Sequence, residues 1–349
     1  MHGDGAVATM LSWQFHAPGS PSQVLLKGRV PVPPVGAGQV LVRVRASAVN
    51  FADSLFVRGS YQVRPDLPAV PGMELCGDVV TVGASVPAHV RPGQRVVGMP
   101  TVPHGTFAEY SLLHWSDALP APPSLSDEHA AALTIAYQTG WFGLHRRAAL
   151  QPGETLLVNA AAGGVGSAAV QLGVAAGARV IGVVGGSVKV AAALDLGCAT
   201  AVDRLSEDVV AEVLDATEGR GADVVYDPVG GEAFRAATRC VARGGRIVLV
   251  GFAGGEQQSV SWADLADKEY ALMGLHWGLY RSKDPHAVQA AHGFLSVLAQ
   301  QGRVRPWVTS VRSFEDAPRA LDDVYAGRTL GRVVLRGWGA GAGQGNPAH

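Results

Sequence analysis

The segment Asn159-Ala160-Ala161-Ala162-Gly163-Gly164-Val165-Gly166 lies between an apolar run, Leu156–Val158, and a stretch of helical character from about residue 165. A buried strand, a turn of small residues and a helix start form, in that order, the backbone that a dinucleotide requires. Ala161, Gly163 and Gly166 take the three small-residue positions. Gly163 lets the main chain approach a pyrophosphate, and Gly166 lets helix and strand pack closely. The N–H groups and partial positive charge of the helix N-terminus then meet the phosphates.

The second strand of such a unit usually ends in a carboxylate that binds the ribose hydroxyl of NAD. Here that strand, Val180–Val184, runs into Gly185-Gly186-Ser187-Val188-Lys189, with no Asp or Glu. A 2′-phosphate would meet the amides of Gly185 and Gly186, a hydroxyl, Lys189 and, after the third strand, Arg204. A charge-assisted contact of this kind contributes roughly 1.5–3 kcal/mol, about ten- to hundredfold in affinity. NADPH is therefore the expected cofactor.

These residues need elements to hold them. Gln39–Asn50 alternates, Val40, Val42, Val44 and Ala46 against Leu41, Arg43, Arg45 and Ser47, which predicts a half-buried strand. Further strands are expected around Asp78–Gly83 and Arg95–Met99, and a helical region from Ser126 towards Leu150. After residue 153 come apolar runs without alternation: Leu156–Val158, Val180–Val184, Val224–Tyr226 and Ile247–Val250. Helical stretches at about 165–176, 188–197, 206–216 and 231–242 separate them, which predicts a doubly wound parallel sheet. The segment near 310–336 breaks this rhythm, and residues 1–8 and 339–349 read as loose tails.

Composition narrows the class. The 349 residues are 48% hydrophobic and 16% charged, enough for two buried cores and too apolar for disorder. Glycine is the excess, 45 residues without a Gly-X-Y period, and serves turns and close backbone approaches. With 28 basic and 29 acidic residues and no long basic run, nucleic acid is a poor partner. Cys76, Cys198 and Cys240 form no CxxC pair, so neither a disulfide framework nor a closed zinc site is expected, and a reducing compartment suits the chain. Thr155–Ala178 is uncharged and long enough to span a bilayer, but its five glycines fit a strand, turn and helix better. Lys27 is the first basic residue, so no signal-peptide n-region is expected and the cytoplasm is the expected location.

The chain resembles the quinone oxidoreductase branch of the medium-chain dehydrogenase/reductase superfamily, including zeta-crystallin-like proteins. The likeness covers about residues 20–336 and rests on Val49-Asn50-Phe51-Ala52-Asp53, Pro71-Gly72-Met73-Glu74, Gly93-Gln94-Arg95-Val96, Gly105-Thr106-Phe107-Ala108-Glu109-Tyr110 and Ala160–Gly166, with Asp227-Pro228-Val229-Gly230-Gly231 and Gly244-Gly245-Arg246-Ile247. The resemblance implies an α/β chain in which a Rossmann-type doubly wound sheet, residues 134–309, is joined to a GroES-like, mainly β catalytic domain. The latter would comprise residues 1–133 and a C-terminal return, 310–336, with a flexible tail at 337–349. It further implies Asn50 and Thr139 near the nicotinamide end and Gly163, Gly164 and Val165 at the pyrophosphate, with Asp53 and Ala162 also among the cofactor-binding residues. Phe252, Leu275 and Trp277 would border the nicotinamide, and the strand Tyr270–Leu275 would pair with its mate in a homodimer.

In the alcohol-dehydrogenase branch a catalytic zinc is held by a Cys where this chain has Asn50 and by a Gly-His-Glu where it has Gly72-Met73-Glu74. Asparagine and methionine do not make that site, so no metal is expected. Without a Lewis acid a simple alcohol is a poor substrate, whereas a quinone or an α,β-unsaturated carbonyl accepts hydride without that help. The resemblance makes Tyr61 a candidate proton donor, but a second tyrosine of the family's pattern is Leu55 here. Three readings follow: a quinone reductase, an enoyl reductase acting on enones or enoyl thioesters, and a low-turnover NADPH-binding protein. An acyl-carrier partner in the second would favour a basic rim, for which Arg58, Arg64, Arg146 and Arg147 are candidates.

Overall fold

The computed structural model describes residues 8–338, so the segments read as tails lie outside it up to residue 7 and from residue 339. β1 (Thr9–Gln14) and β2 (Leu26–Pro31) form an antiparallel pair. β3 (Gln39–Val49), β4 (Leu75–Val82), β5 (Arg95–Gly98), β6 (Tyr110–His114) and β7 (Leu119–Pro120) belong to a second sheet. The alternation of β3 holds where Val40, Val42 and Val44 are buried and Arg43 and Arg45 exposed; from Ala46 to Val49 every side chain is buried. The change has a packing cause. Ala46 and Ala48 join the core around the nucleotide-binding strands, while Val44 and Val49 join the core of the β-rich domain.

Six strands then build the parallel sheet: β8 (Thr155–Asn159), β9 (Arg179–Val184), β10 (Thr200–Asp203), β11 (Ala222–Asp227), β12 (Val241–Leu249) and β13 (Ala271–Gly274). Their order is β10-β9-β8-β11-β12-β13, with every pairing parallel. That is the doubly wound order, with its switch point between β8 and β11, where the crevice outside the strands' carboxyl ends takes ligands. Helices Gly164–Ala175, Ser187–Asp195, Val209–Ala216 and Gly231–Cys240 connect the strands. β12 begins six residues before the apolar run that predicts it, passing through Gly244 at φ 71° with a register shift against β11. The glycine pair Gly244-Gly245 lies at this irregularity within the strand.

The region expected to be helical from Ser126 to Leu150 divides into Asp127–Ala131, Thr134–Trp141 and a π-helical turn, Phe142–Arg147. The break at Ala132–Leu133 brings the second segment's N-terminus to the Glu74 carboxylate, which accepts from the Ile135 N–H at 2.8 Å. β14 (Val308–Ser313) and β15 (Arg332–Arg336) end the described chain. β15 runs antiparallel to β3, so the C-terminal segment returns to the β-rich domain. Arg281 also ties the two parts together, donating to both Asp117 carboxylate oxygens at 2.9 and 2.8 Å.

Candidate active site

The turn after β8 is fixed by what it cannot accommodate. A side chain at Gly166 would collide with the Ala160 carbonyl oxygen, and Ala160 itself sits at φ 52°. The alanine in place of the first glycine is tolerated because its neighbour gives way: a Cβ at Gly182 of β9 would stand 2.9 Å from the Ala161 methyl. Gly163 caps the helix Gly164–Ala175, and no side chain caps its first turn, so the turn's amides are suited to a pyrophosphate. At the switch point Asn159 Nδ2 donates to Asp227 Oδ1 at 3.1 Å, and Asp227 accepts from the amides of Val229 and Gly230 at 3.0 and 3.2 Å. These bonds hold the loops after β8 and β11 in register.

Beyond β9, Gly186 adopts φ 92° and starts the helix that carries Lys189. Asp203 fixes this turn through Oδ1, which accepts the N–H groups of Gly186 at 2.7 Å and Leu205 at 3.0 Å. Those amides hold its carboxyl below the usual range. The Arg204 guanidinium lies over Gly185, within 3.3 Å of where a Cβ would stand. Lys189 Nζ donates to the Gly327 carbonyl at 3.3 Å. The structure thus gathers Gly185, Gly186, Lys189 and Arg204 around one turn.

A second cluster lies where β3, β4 and β15 meet the pyrophosphate loop. Asn50, Glu74 and Arg332 are buried. Arg332 Nη1 donates to Asn50 Oδ1 at 2.9 Å, Asn50 Nδ2 donates to Glu74 Oε1 at 3.1 Å, and Arg332 Nη2 donates to the same Glu74 oxygen. Glu74 Oε2 takes the Ile135 N–H at the start of the helix bearing Thr139, a favourable place for a carboxylate. Arg332 Nη1 is 3.0 Å from where a Cβ on Gly164 would stand, so the guanidinium lies against the pyrophosphate loop, and the Gly331 N–H donates to the Ala162 carbonyl at 2.9 Å.

Asp53 contributes through Asn50, whose backbone N–H it accepts at 2.8 Å. It is fully buried, and its Oδ1 has no partner among the described residues. The enclosure thus holds two carboxyl groups and one guanidinium. Burial pushes Glu74 up against the pull of Arg332 and its N–H donors, and pushes Asp53 to about 7, with the Asn50 amide opposing and Glu74 adding to the rise.

Thr139 is buried and its hydroxyl donates to the Ile135 carbonyl at 2.6 Å. Phe252, Leu275 and His276 line a cavity of about 610 Å³ beside the ends of β12 and β13, together with Gln62 from the β-rich domain. Trp277 departs from its neighbours: its side chain is buried, and its indole N–H donates to Gln138 Oε1 at 3.1 Å. Tyr61 packs against the core of the β-rich domain, where burial and then the Asp53 charge push its hydroxyl up. Cys76 is a buried thiol pushed up to about 12 by burial. Of the four arginines considered for a basic rim, Arg58 is taken by Asp322 at 2.9 Å, Arg146 by Asp284 at 2.8 Å, Arg64 is exposed, and Arg147 lines the cavity.

Sequence reasoning missed Arg332 and Gln138 altogether and took Glu74 only as part of a motif. The signal present for Glu74 was its place beside Pro71-Gly72-Met73. Nothing local marks Arg332, 282 residues from its partner Asn50.

A β-rich domain joined to a doubly wound domain, with a dinucleotide loop in the crevice, defines a two-domain nicotinamide-dependent oxidoreductase. Comparison with known proteins makes this specific. Residues 36–123 match the alcohol dehydrogenase GroES-like domain and residues 164–296 the zinc-binding dehydrogenase domain. The chain is 35% identical over 303 residues to a quinone oxidoreductase-like protein 2 homolog of Nematostella vectensis, covering 86% of this chain and 82% of that protein. It is 32% identical over 343 residues to prostaglandin reductase-3 of Mus musculus, covering 94% and 88%. A mycobacterial structure complexed with NADPH superposes with a TM-score of 0.85 at 29% identity, covering 94% of this chain and 100% of that one. The chain belongs to the quinone oxidoreductase branch of the medium-chain dehydrogenases/reductases.

Proposed function

We propose that this protein is an NADPH-dependent oxidoreductase that transfers hydride to a quinone without zinc, as a cytoplasmic homodimer. The observation that carries the reading is the Asn50–Glu74–Arg332 cluster. Both ends of the Asn50 amide are bonded within it, and the cation beside Asn50 is a buried guanidinium. A divalent metal added there would face Arg332 with no thiolate or imidazole to hold it. Among the described residues no group of three or more His, Cys, Asp or Glu could hold a metal ion. The donor set does not fit zinc, and the substrate must be electron-poor on its own account.

The residues fit NADPH. Gly163, Gly164 and Val165 with Ala162 would hold the pyrophosphate, Arg332 would neutralise part of its charge, and Gly185, Gly186, Lys189 and Arg204 would take the 2′-phosphate. Asn50, Thr139, Phe252 and Leu275 would bound the nicotinamide end, with Asp53 and Gln138 as positioning residues and Tyr61 as a candidate proton donor. When bound, the nicotinamide supplies the hydride, and the protein orients it and excludes water. The catalytic unit is assigned to residues 1–133 with 310–336, and the nucleotide unit to 134–309. β13 is the outer strand of its sheet and offers an unpaired edge for a second copy. No helix among the described residues is long and apolar enough to cross a membrane.

A second reading, reduction of enones or enoyl thioesters, is favoured by the match to a prostaglandin reductase over 94% of the chain. Loss of nicotinamide absorbance with purified protein, NADPH and a panel of quinones, enones and an enoyl-CoA separates the two. The expected outcome is fastest turnover with quinones. Faster turnover of an enone or thioester moves the protein to the second reading, and silence across the panel with NADPH still bound leaves a low-turnover nucleotide-binding protein.

A further inference from the structure

We infer that the cavity beside β12 and β13 is an acceptor subsite for a molecule with an apolar, electron-poor body and a negative charge, the charge being met by Arg147 and Lys283; this rests on the hydride-transfer reading. Phe252 and Leu275, the side chains assigned to the nicotinamide end, line one part of the cavity, and its volume of about 610 Å³ is room for a nicotinamide ring with an aromatic acceptor against it. Its apolar surface comes from Leu249, Leu275 and Leu279, while its charged lining is of one sign: Arg147 and Lys283, with no carboxylate.

That imbalance is local to the cavity, because the chain as a whole is nearly neutral at 28 basic against 29 acidic residues. The acid nearest in sequence to Lys283 is already engaged: Asp284 accepts from Arg146 at 2.8 Å and from the Ala287 N–H at 3.1 Å. Arg146 in turn lies over the Tyr280 ring at 5.3 Å, on the helix that supplies Leu279 and Lys283. Arg147 and Lys283 form no salt bridge among the described residues. Two cations on the rim of an apolar cleft raise the local concentration of an anion and fix its orientation, and they do nothing for a neutral quinone. The negative group has two chemical sources, an acidic substituent on the ring itself or the phosphates of a thioester carrier.

The test uses the full chain with NADPH and matched acceptors: a neutral naphthoquinone and its ring sulfonate, and the crotonyl thioesters of N-acetylcysteamine and coenzyme A. Each is assayed with the wild type and with the double variant Arg147→Gln/Lys283→Gln. Each of two half-screened charges is worth several-fold, so the charged-to-neutral ratio of kcat/KM should fall about tenfold in the double variant. In the wild type that ratio should also decline with added salt. A fall confined to the sulfonate pair names a ring substituent as the source, and one confined to the thioester pair names the carrier phosphates. Ratios that are the same in both proteins overturn the subsite. If no acceptor is reduced, the hydride-transfer reading fails by itself. Quenching of tryptophan fluorescence by the sulfonate, in protein loaded with NADP+, then decides the subsite: a Kd raised about tenfold by the double substitution supports it, and an unchanged Kd overturns it.

Discussion

The pyrophosphate loop and the Asn50–Glu74–Arg332 cluster lie against each other and are built on opposite plans. The loop is built on its backbone: Gly163 and Gly166 matter for the side chains they lack, and no side chain caps the helix amides. The cluster is built on three buried side chains bonded to one another, with the Ile135 N–H as a backbone donor to Glu74. A site made of backbone tolerates surface change around it and fails when a Cβ is added. One made of buried charge fails when any single partner is removed, because the rest are left unpaired. The adjacency lets one guanidinium serve both, holding Asn50 and Glu74 while lying on Gly164.

The sharpest way to break that contrast is to remove the shared cation. Arg332→Met should lower unfolding free energy by about 3–5 kcal/mol, since it leaves the Glu74 carboxylate buried without its partner. Adding Glu74→Gln in the same chain should recover part of that loss, as denaturant titration would measure. Equal stability of Arg332→Met and wild type would mean that the cluster is not a coupled ion pair.

A smaller effect sharpens the same point. Burial pushes the Asp53 carboxyl in the folded chain up to about 7, against an ordinary value of 3.8. Between those values the folded state binds more protons than the unfolded, so the stability from this group is fully present below about pH 4 and is lost as the pH rises towards 7. Asp53→Asn keeps an oxygen for the Asn50 N–H and removes the titration. Thermal melts across this window should therefore decline less steeply with pH for the variant than for wild type. Parallel curves would show that Asp53 ionises normally in the folded protein.

The two regions also differ in how far the sequence discloses them. The loop's residues are consecutive, and each requirement is local: a strand period, a small residue, a helix start. The 2′-phosphate turn is read likewise, from a missing carboxylate after Val184 and two basic residues. The cluster joins residues 24, 258 and 282 positions apart, and only the return of β15 onto β3 brings them together. The bond from the Trp277 indole to Gln138 is not legible either, since the two residues lie 139 positions apart. Strand β12 is longer than its apolar run, Ile247–Val250, because it begins at Val241 and carries Arg243, Gly244, Gly245 and Arg246 through an irregularity in its pairing with β11.

The most direct test of the account is equilibrium binding of NADPH and of NADH to the wild type, Lys189→Ala and Arg204→Ala. Each substitution should weaken NADPH by about ten- to hundredfold and leave NADH within a few-fold of wild type. Equal losses for the two nucleotides, or tighter binding of NADH by the wild type, would contradict it.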